Sequence, residues 1–465
     1  MTDRLIYMKT RLFQFLAILT VSAGMLACSG ETNTPKKTLV QGTITVADSL
    51  DDSGNYEGIY VTIVNPEDTS GTGLDTLFHE VTNKAGRFAA TVTFPEKKYY
   101  LMSVSRNNNT IGELGVILAE DDTLTVQAEL PGVQQTVKLE SREHDAMHTF
   151  TKVDQGFNRI RAFAQSGALT DTQMVEEIQK WSDLYWEVYE KNQNSLAAVL
   201  AAEQSARLLN SWNQEEMLRR IDQVLPDKYM SQVALDLAKP YIARNQGFDA
   251  ASAYMDSLSS IVDDEEAKEI IFRQKIQFYF DSSRVKEARN LLENYEEEYA
   301  DNQRSKEWAR RIRYDLNYLA PGVQAPEFSF VTMEGDTVNN EKLEGDVYIL
   351  EISPLASTMY QNDFDRTVIL HEIYRNYGLK ILTIPLDQSE ITVNAFFEER
   401  SKLWPVAKLG SFDVQDIIKK FNVVQVPTRL LIDENGVLIR KYEGREFEDV
   451  IQGINKAFRN NKSPS

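Results

Sequence analysis

Thiols, imidazoles and paired carboxylates do most side-chain chemistry, and this sequence is short of the first two. It carries one cysteine, Cys28, and four histidines, His79, His144, His148 and His371. Thiol–disulfide exchange needs an attacking thiolate and a second thiol to resolve the mixed disulfide, and peroxide reduction needs a peroxidatic thiol. With one cysteine, neither cycle closes within the chain. His144 and His148 stand four residues apart, a zinc-compatible spacing on a helix. No glutamate follows the first of them to make His-Glu-x-x-His; Asp145 stands there instead, so no metal or other cofactor is expected. Asp48, Asp51 and Asp52 lack the Asp-x-Asp-x-Asp-Gly spacing of a calcium loop and read as solvated.

The place of Cys28 explains the missing partner thiol. Lys9 and Arg11 precede an apolar run, 12–26, that ends in Leu26-Ala27 just before the cysteine. That layout predicts a secretory signal over 1–27, too short and wrongly flanked to span a membrane, with Met8 as the expected start and a Met1–Tyr7 extension as the alternative. The order Met25-Leu26-Ala27-Cys28 resembles the lipobox of bacterial lipoproteins. The resemblance implies that the Cys28 thiol carries a diacylglycerol after cleavage and that 28–37 is a polar tether. At about 0.8 kcal/mol per buried methylene, two or three acyl chains hold firmly where one does not. Ser29, where other lipoproteins carry Asp, implies by the same resemblance an outer-membrane location in the cell envelope, facing the periplasm or the cell surface. The membrane is therefore the first partner expected.

The elements behind these residues fall into three stretches. Over 38–140, runs at 39–46, 59–64, 87–94, 99–105, 113–118 and 123–130 are rich in Val, Ile, Thr and Tyr, with turn residues between them. That spacing predicts a β-sandwich. Over 141–319 the period becomes helical. Thr170 and Gln173 form a capping box, Asn213 is a second cap, and Pro226-Asp227 breaks the chain. Phe248, Ala251, Tyr254, Met255 and Leu258 match Val285, Ala288, Leu291, Leu292 and Tyr295 at an offset of 37. The step is near that of tetratricopeptide helix pairs, though ordinary amphipathic helices fit as well. Ala320-Pro321-Gly322 marks a boundary, and 320–465 alternates strand and helix: strands at 347–353 and 379–386, helices at 363–377, 391–401, 414–421 and 447–460, and a hairpin of 429–432 with 437–442. The fold class is thus multidomain α+β. The net charge of −20 disfavours a phosphate-tracking surface, so no nucleic acid is expected as a partner.

The last stretch resembles the thioredoxin fold, in particular the membrane-anchored TlpA/ResA-type thiol–disulfide oxidoreductases and their peroxiredoxin-like (AhpC/TSA) kin. The residues that carry this are Ala325-Pro326-Glu327-Phe328 with Met333-Glu334-Gly335-Asp336, the strand ending at Glu351, Val426-Pro427-Thr428, and Leu431-Ile432-Asp433-Glu434-Asn435-Gly436. The arrangement as a whole is similar to thioredoxin-like lipoproteins with an N-terminal β domain. The resemblance implies a Cys-x-x-Cys at the start of the helix after the first core strand. Counted from Glu351, those places fall on Ser357-Thr358-Met359-Tyr360. Glu351 matches the acid that moves protons for the family's thiols, and Val426-Pro427 matches its cis-proline loop.

Ser357 is no nucleophile without a base, and His371, in the helix that follows, is too far along it to reach. It reads as an N-cap. No catalytic residue is therefore assigned. What the resemblance leaves is an interaction surface. Extended peptides pair with the backbone before the proline, and Val426, Pro427, Ser357, Met359 and Tyr360 would line that groove. The expected function is a membrane-anchored binding or scaffold module for an envelope protein or extended peptide. The alternative is an oxidoreductase that borrows a partner's thiols, and a helical adaptor is a third possibility.

Overall fold

A computed structural model of the chain describes residues 36–65 and 75–460. The signal segment, Cys28 and the tether as far as residue 35 lie outside the described residues. Packing divides the chain into two compact units, up to Ile271 and from Phe272 onward.

The first unit opens with β1 (Lys36–Val46), β2 (Ile59–Asn65), β3 (Asp75–Val81), β4 (Arg87–Phe94), β5 (Lys98–Arg106), β6 (Asn109–Leu118), β7 (Thr123–Leu130) and β8 (Lys138–Glu140). Among the described residues they form two four-stranded sheets, ordered β4-β1-β7-β8 and β3-β2-β5-β6. β1 and β7 run parallel; the other pairs are antiparallel. Alternation sends Val40 and Ile44 from one sheet, and Val61, Ile63, Met102 and Val104 from the other, into one shared core. Gly42 is required there, because a Cβ at that position would lie 2.1 Å from the Val126 carbonyl oxygen. β3 has no counterpart among the strands expected from sequence. It is an edge strand with only Phe78 fully buried, so its pattern carries little hydrophobic signal.

Helices α1 (Val133–Thr136), α2 (Arg142–Gln165), α3 (Asp171–Lys191), α4 (Leu196–Leu209), α5 (Gln214–Val224), α6 (Lys228–Val233), α7 (Lys239–Gln246), α8 (Phe248–Ile261) and α9 (Glu265–Asp281) follow, with a π turn at Ala234–Ala238. The expected capping box forms at Thr170, and the Asn213 side chain accepts from the Glu216 N–H at 3.1 Å. His144 has a structural role. Its Nε2 accepts from the Ile117 N–H at 3.3 Å and its Nδ1 lies 2.9 Å from the Ser141 hydroxyl, so both ring nitrogens are engaged. Burial holds this imidazole below its ordinary value, in the neutral form. His148 is exposed. Among the described residues no cluster of His, Cys, Asp or Glu is placed to hold a metal ion, and no helix is long and apolar enough to cross a membrane.

The second unit holds the end of α9, α10 (Val285–Glu298), α11 (Gln303–Tyr318), the short pair β9 (Ser329–Val331) and β10 (Thr337–Asn339), then β11 (Val347–Ser353), α12 (Thr358–Tyr374), β12 (Leu379–Pro385), α13 (Glu390–Glu398), α14 (Val414–Lys420), β13 (Thr428–Ile432), β14 (Leu438–Glu443) and α15 (Phe447–Asn460). The main sheet is ordered β12-β11-β13-β14, with β11 and β12 parallel and the remaining pairs antiparallel. Both faces are covered. Leu350, Ile352, Leu430 and Ile432 pack with Phe328, Phe330 and Phe421 on one side; Val347, Ile349 and Leu431 pack with Phe364, Phe396 and Ile454 on the other. Burial on both faces is why β11 reads as a nearly unbroken apolar run. The unit reaches back beyond Leu319 because α11 is tied to the sheet. Lys441, 5% exposed, places its ammonium 3.0 Å from Asp315 Oδ2 and 2.8 Å from the Asn422 carbonyl oxygen, and the Tyr314 hydroxyl donates to the Lys420 carbonyl at 3.1 Å. The positions matched at an offset of 37 lie in α8 and α10, and each helix buries its share: Ala251, Met255 and Leu258 in one, Ala288, Leu292 and Tyr295 in the other.

Candidate functional site

The centre of the second unit's sheet is polar, against the apolar habit of buried strands. Glu351 lies in β11, with every neighbour on the strand buried, and is 1% exposed; Arg429 in β13 is 2% exposed. The register sets them directly opposite each other and puts Thr383 of β12 opposite Glu351 on its other side. One row therefore crosses three strands: Thr383, Glu351, Arg429. Cross-strand neighbours on one face are the closest side-chain pairs a sheet offers.

The row is bonded throughout. Arg429 Nε donates to Glu351 Oε1 at 2.8 Å, and its second nitrogen reaches Asp363 Oδ2 at 3.1 Å on α12. The Thr383 hydroxyl donates to Glu351 Oε2 at 3.3 Å and accepts from the Trp404 indole at 2.9 Å. Alternating charge continues outward through Arg366, which meets Asp363 and pairs with Glu448. The Phe447 ring lies between the two guanidiniums, 4.3 Å from that of Arg366 and 4.8 Å from that of Arg429, a double cation–π contact. Burial pushes the Asp363 carboxyl up, and Arg429 and Arg366 pull against that shift.

Tyr360 belongs to this interior, which corrects its expected place in a groove. It is 1% exposed, packed near Phe364 and Phe396, with its hydroxyl 3.5 Å from Glu351 Oε2 and 3.4 Å from the Thr383 hydroxyl. Burial, and then the charge of Glu351, push that phenol well above its ordinary value, so it stays protonated. The expectation fails on facing: with Ser357 at the N-cap, the first turn of α12 sets Tyr360 on the buried face with Phe364, Thr367 and Leu370.

Ser357 does stand at the N-cap of α12, but its side chain makes no capping hydrogen bond. The loop before it is held from elsewhere: the Asp387 carboxylate accepts from the Leu355 N–H at 2.7 Å and the Ala356 N–H at 3.2 Å. His371 packs against Trp404, about 20 Å along the helix from the Ser357 end at 1.5 Å per residue, so it cannot serve Ser357 as a base. The Val426–Pro427 peptide is cis, the Pro427 carbonyl accepts from Gly444 N–H at 2.8 Å, and the Thr428 hydroxyl donates to the Gln425 carbonyl at 2.6 Å. Because Ile352 pairs with Thr428, the Ser357 loop and the Val426–Pro427 loop leave adjacent strands at the same end of the sheet. Ser357, Met359 and Val426 are half-buried there and Val424 is exposed. The Val426 N–H and C=O bond to no other described residue.

No family model matches the chain. The ResA thiol-disulfide oxidoreductase of Bacillus thuringiensis subsp. konkukian (strain 97-27) is 27% identical over 139 residues, 28% of this chain and 74% of that protein. Part of this chain is thus a thioredoxin-like relative of the ResA-type oxidoreductases. The ResA of Bacillus anthracis is 26% identical over 148 residues, 30% of this chain and 80% of its own length. Among solved structures, a putative DsbE thiol:disulfide interchange protein from Chlorobium tepidum is 22% identical over 30% of this chain and 97% of its own, at a TM-score of 0.27. The thioredoxin domain of a thiol-disulfide oxidoreductase from Bacteroides vulgatus is 18% identical over 29% and 97%, also at 0.27.

Sequence reasoning found Glu351 and missed the residues that govern it: Arg429, Asp363, Thr383 and Trp404. A signal was present. Arg429 sits in Thr-Arg-Leu-Leu-Ile and Glu351 in Tyr-Ile-Leu-Glu-Ile, and a charge inside a buried strand calls for an opposite charge on its neighbour.

Proposed function

We propose that this chain is a lipid-anchored envelope protein whose thioredoxin-like part is redox-silent and serves as a binding or scaffold module. The carrying observation is the pair Glu351–Arg429 in a chain whose one cysteine is Cys28. Thiol exchange in such a fold needs two thiols and a nearby acid that trades protons with them. On this reading Ser357 and Tyr360 occupy the thiol places, and Arg429 holds the acid as a paired carboxylate. The end of the sheet that carries the Ser357 loop and cis-Pro427 keeps what peptide pairing requires, the Val426 N–H and C=O, which bond to no other described residue, with half-buried Ser357 and Met359 at the same end. An extended segment of an envelope protein is the proposed partner there. Cys28 carries the acyl anchor, most simply in the outer membrane. The two N-terminal sheets are taken as a β-sandwich, and the helix pairs around α8 and α10 as tetratricopeptide-like, with the thioredoxin-like domain proper beginning near residue 320.

Insulin reduction and mixed-disulfide trapping on the full mature chain test the silent reading, and neither should give turnover. Turnover that disappears when residues after Leu319 are removed would overturn it. A second reading has support in the relatives' names: an oxidoreductase acting with thiols from another chain. Cross-linking from envelopes separates the two, since that reading alone demands a partner with two cysteines trapped against the Val426–Pro427 loop. Cys28→Ala should release the protein from the membrane fraction.

A further inference from the structure

Several helices of this chain pair a cation with a carboxylate one turn away: Lys191 with Glu187, Arg207 with Glu203, Arg219 with Glu216. The outer face of α11 departs from that habit. Lys306, Arg310 and Arg311 are exposed and make no ion pair or side-chain hydrogen bond with any described residue. A fourth cation joins them from α14. The Asn422 amide donates to the Arg311 carbonyl at 3.1 Å and the Tyr314 hydroxyl to the Lys420 carbonyl at 3.1 Å, so the last turn of α14 lies against α11. Lys419, in that turn, is exposed and equally unpaired. The carboxylates around this face are spent. Asp315 is buried on Lys441, Glu296 of α10 pairs with Arg313, and Asp416 pairs with Lys420. Glu307, the one exposed carboxylate of α11, meets Gln303 at 3.4 Å and none of the four cations.

A second observation is independent of that charge. Arg310, Tyr314 and Tyr318 follow one another a turn apart on the same face, with the two rings 4.8 Å apart and Tyr318 56% exposed. Tyrosine beside lysine and arginine is the side-chain mixture that sits at the headgroup level of a bilayer. A protein partner fits less well, because the cores of protein interfaces are depleted in lysine and Tyr318 is the one exposed large apolar side chain on this helix. The net charge of −20 does not forbid an anionic surface. At about 0.1 M salt the screening length is about 10 Å, so groups at the contact outweigh carboxylates farther off.

We propose that this face rests on a membrane surface rich in anionic lipid, with Lys306, Arg310, Arg311 and Lys419 against headgroup phosphates and Tyr318 among them. Each cation strengthens such a contact about fivefold, so four give a half-binding point at about 2 mM accessible lipid. That is too weak to hold the chain by itself. The contact rests on the acyl anchor proposed above for its proximity and sets how the anchored chain lies. The test removes the anchor, so that the two readings fail separately. The mature chain from position 28, with Cys28→Ala, is sedimented at about 0.1 M salt with vesicles of phosphatidylcholine alone or in equal parts with phosphatidylglycerol. Binding to the mixed vesicles alone is expected, lost at about 0.5 M salt. Arg310→Gln with Arg311→Gln should weaken it about 25-fold, and Glu307→Gln should strengthen it several-fold. These side chains are exposed, so the variants should keep the parent circular dichroism. Lys84→Gln with Lys138→Gln, two exposed cations of the first unit, should change binding less than about twofold. Equal binding to both vesicles, no binding to the mixed ones, or the same loss from both double variants would overturn the proposal.

Discussion

Arg429→Met separates an organising ion pair from an incidental one. Methionine keeps most of the length of the side chain and removes its charge, which leaves Glu351 1% exposed with no cation beside it. Two charges about 4 Å apart interact by about 4 kcal/mol at an effective dielectric of about 20. Arg429 also bonds Asp363 at 3.1 Å, so its loss leaves that carboxylate with only the longer contact to Arg366 at 3.7 Å. Removing one member of a buried pair costs about 3–5 kcal/mol, mostly the burden of the charge left behind. For a unit of this size each kcal/mol moves Tm by about 2–4 °C, so the variant should melt about 6–20 °C lower. Urea and thermal unfolding of the full chain, followed by circular dichroism, measure both quantities. Glu351→Leu combined with Arg429→Met should recover most of the stability, since apolar replacement of both members of a buried pair is often neutral or better. A single variant within about 2 °C of the parent, or a double variant less stable than the single one, would refute the claim that this pair organises the centre of the sheet.

Other outcomes follow from the same geometry. Tyr360→Phe should cost less than about 1 kcal/mol in urea, because its hydroxyl contacts are long at 3.4 and 3.5 Å, whereas Tyr360→Ala should cost about 3–5 kcal/mol through the cavity it opens. Ser357→Ala should be nearly neutral, for want of a capping bond to lose. Asp413→Ala should cost about 1 kcal/mol, because that carboxylate accepts from the Gln415 N–H at 2.8 Å and the Asp416 N–H at 3.1 Å. Glu446 sets a pH dependence. Its folded value, about 7, lies above the ordinary 4.5, so the folded form holds the proton longer than the unfolded one. That stability is fully present below about pH 4.5 and is lost as pH rises through about 7, and Glu446→Gln should flatten the slope of the urea midpoint between pH 5 and 8.

How far the site was legible depends on which interactions lie along the chain and which lie across it. The bounds of β11 and α15 follow from local pattern, an apolar run buried on both faces and a strongly amphipathic helix. β3 escaped because an edge strand with one fully buried residue, Phe78, has almost no pattern to read. Tyr360 is misplaced by its facing. Ser357 as N-cap already opens a helix at Thr358, but nothing in Ser357-Thr358-Met359-Tyr360 says which side of the first turn meets the sheet. With α12 starting at Thr358, Tyr360, Phe364, Thr367 and Leu370 share the face toward the sheet. Arg429 was legible only as half of a pair. Its partner is 78 residues away, and nothing local sets that register.

Binding and proton handling come apart in this fold. Pro427 itself is buried, but the sheet end beside it is accessible: the Val426 N–H and C=O bond to no other described residue, Val424 is exposed, and Ser357 and Met359 are half-buried. None of that depends on Glu351. The centre is closed, with Glu351 taken by Arg429 and Thr383, and Tyr360 filling the space beside them. Thiols brought by a partner would meet the open end and find the one acid on the sheet's interior already committed to a guanidinium 2.8 Å away. On the proposed reading, supplying cysteines leaves the proton step without a free acid, whereas an extended strand asks only for backbone groups the loop still presents. The same row also holds β11, β13 and α12 together, which on the proposed redox-silent reading keeps the end of the sheet a firm surface to bind.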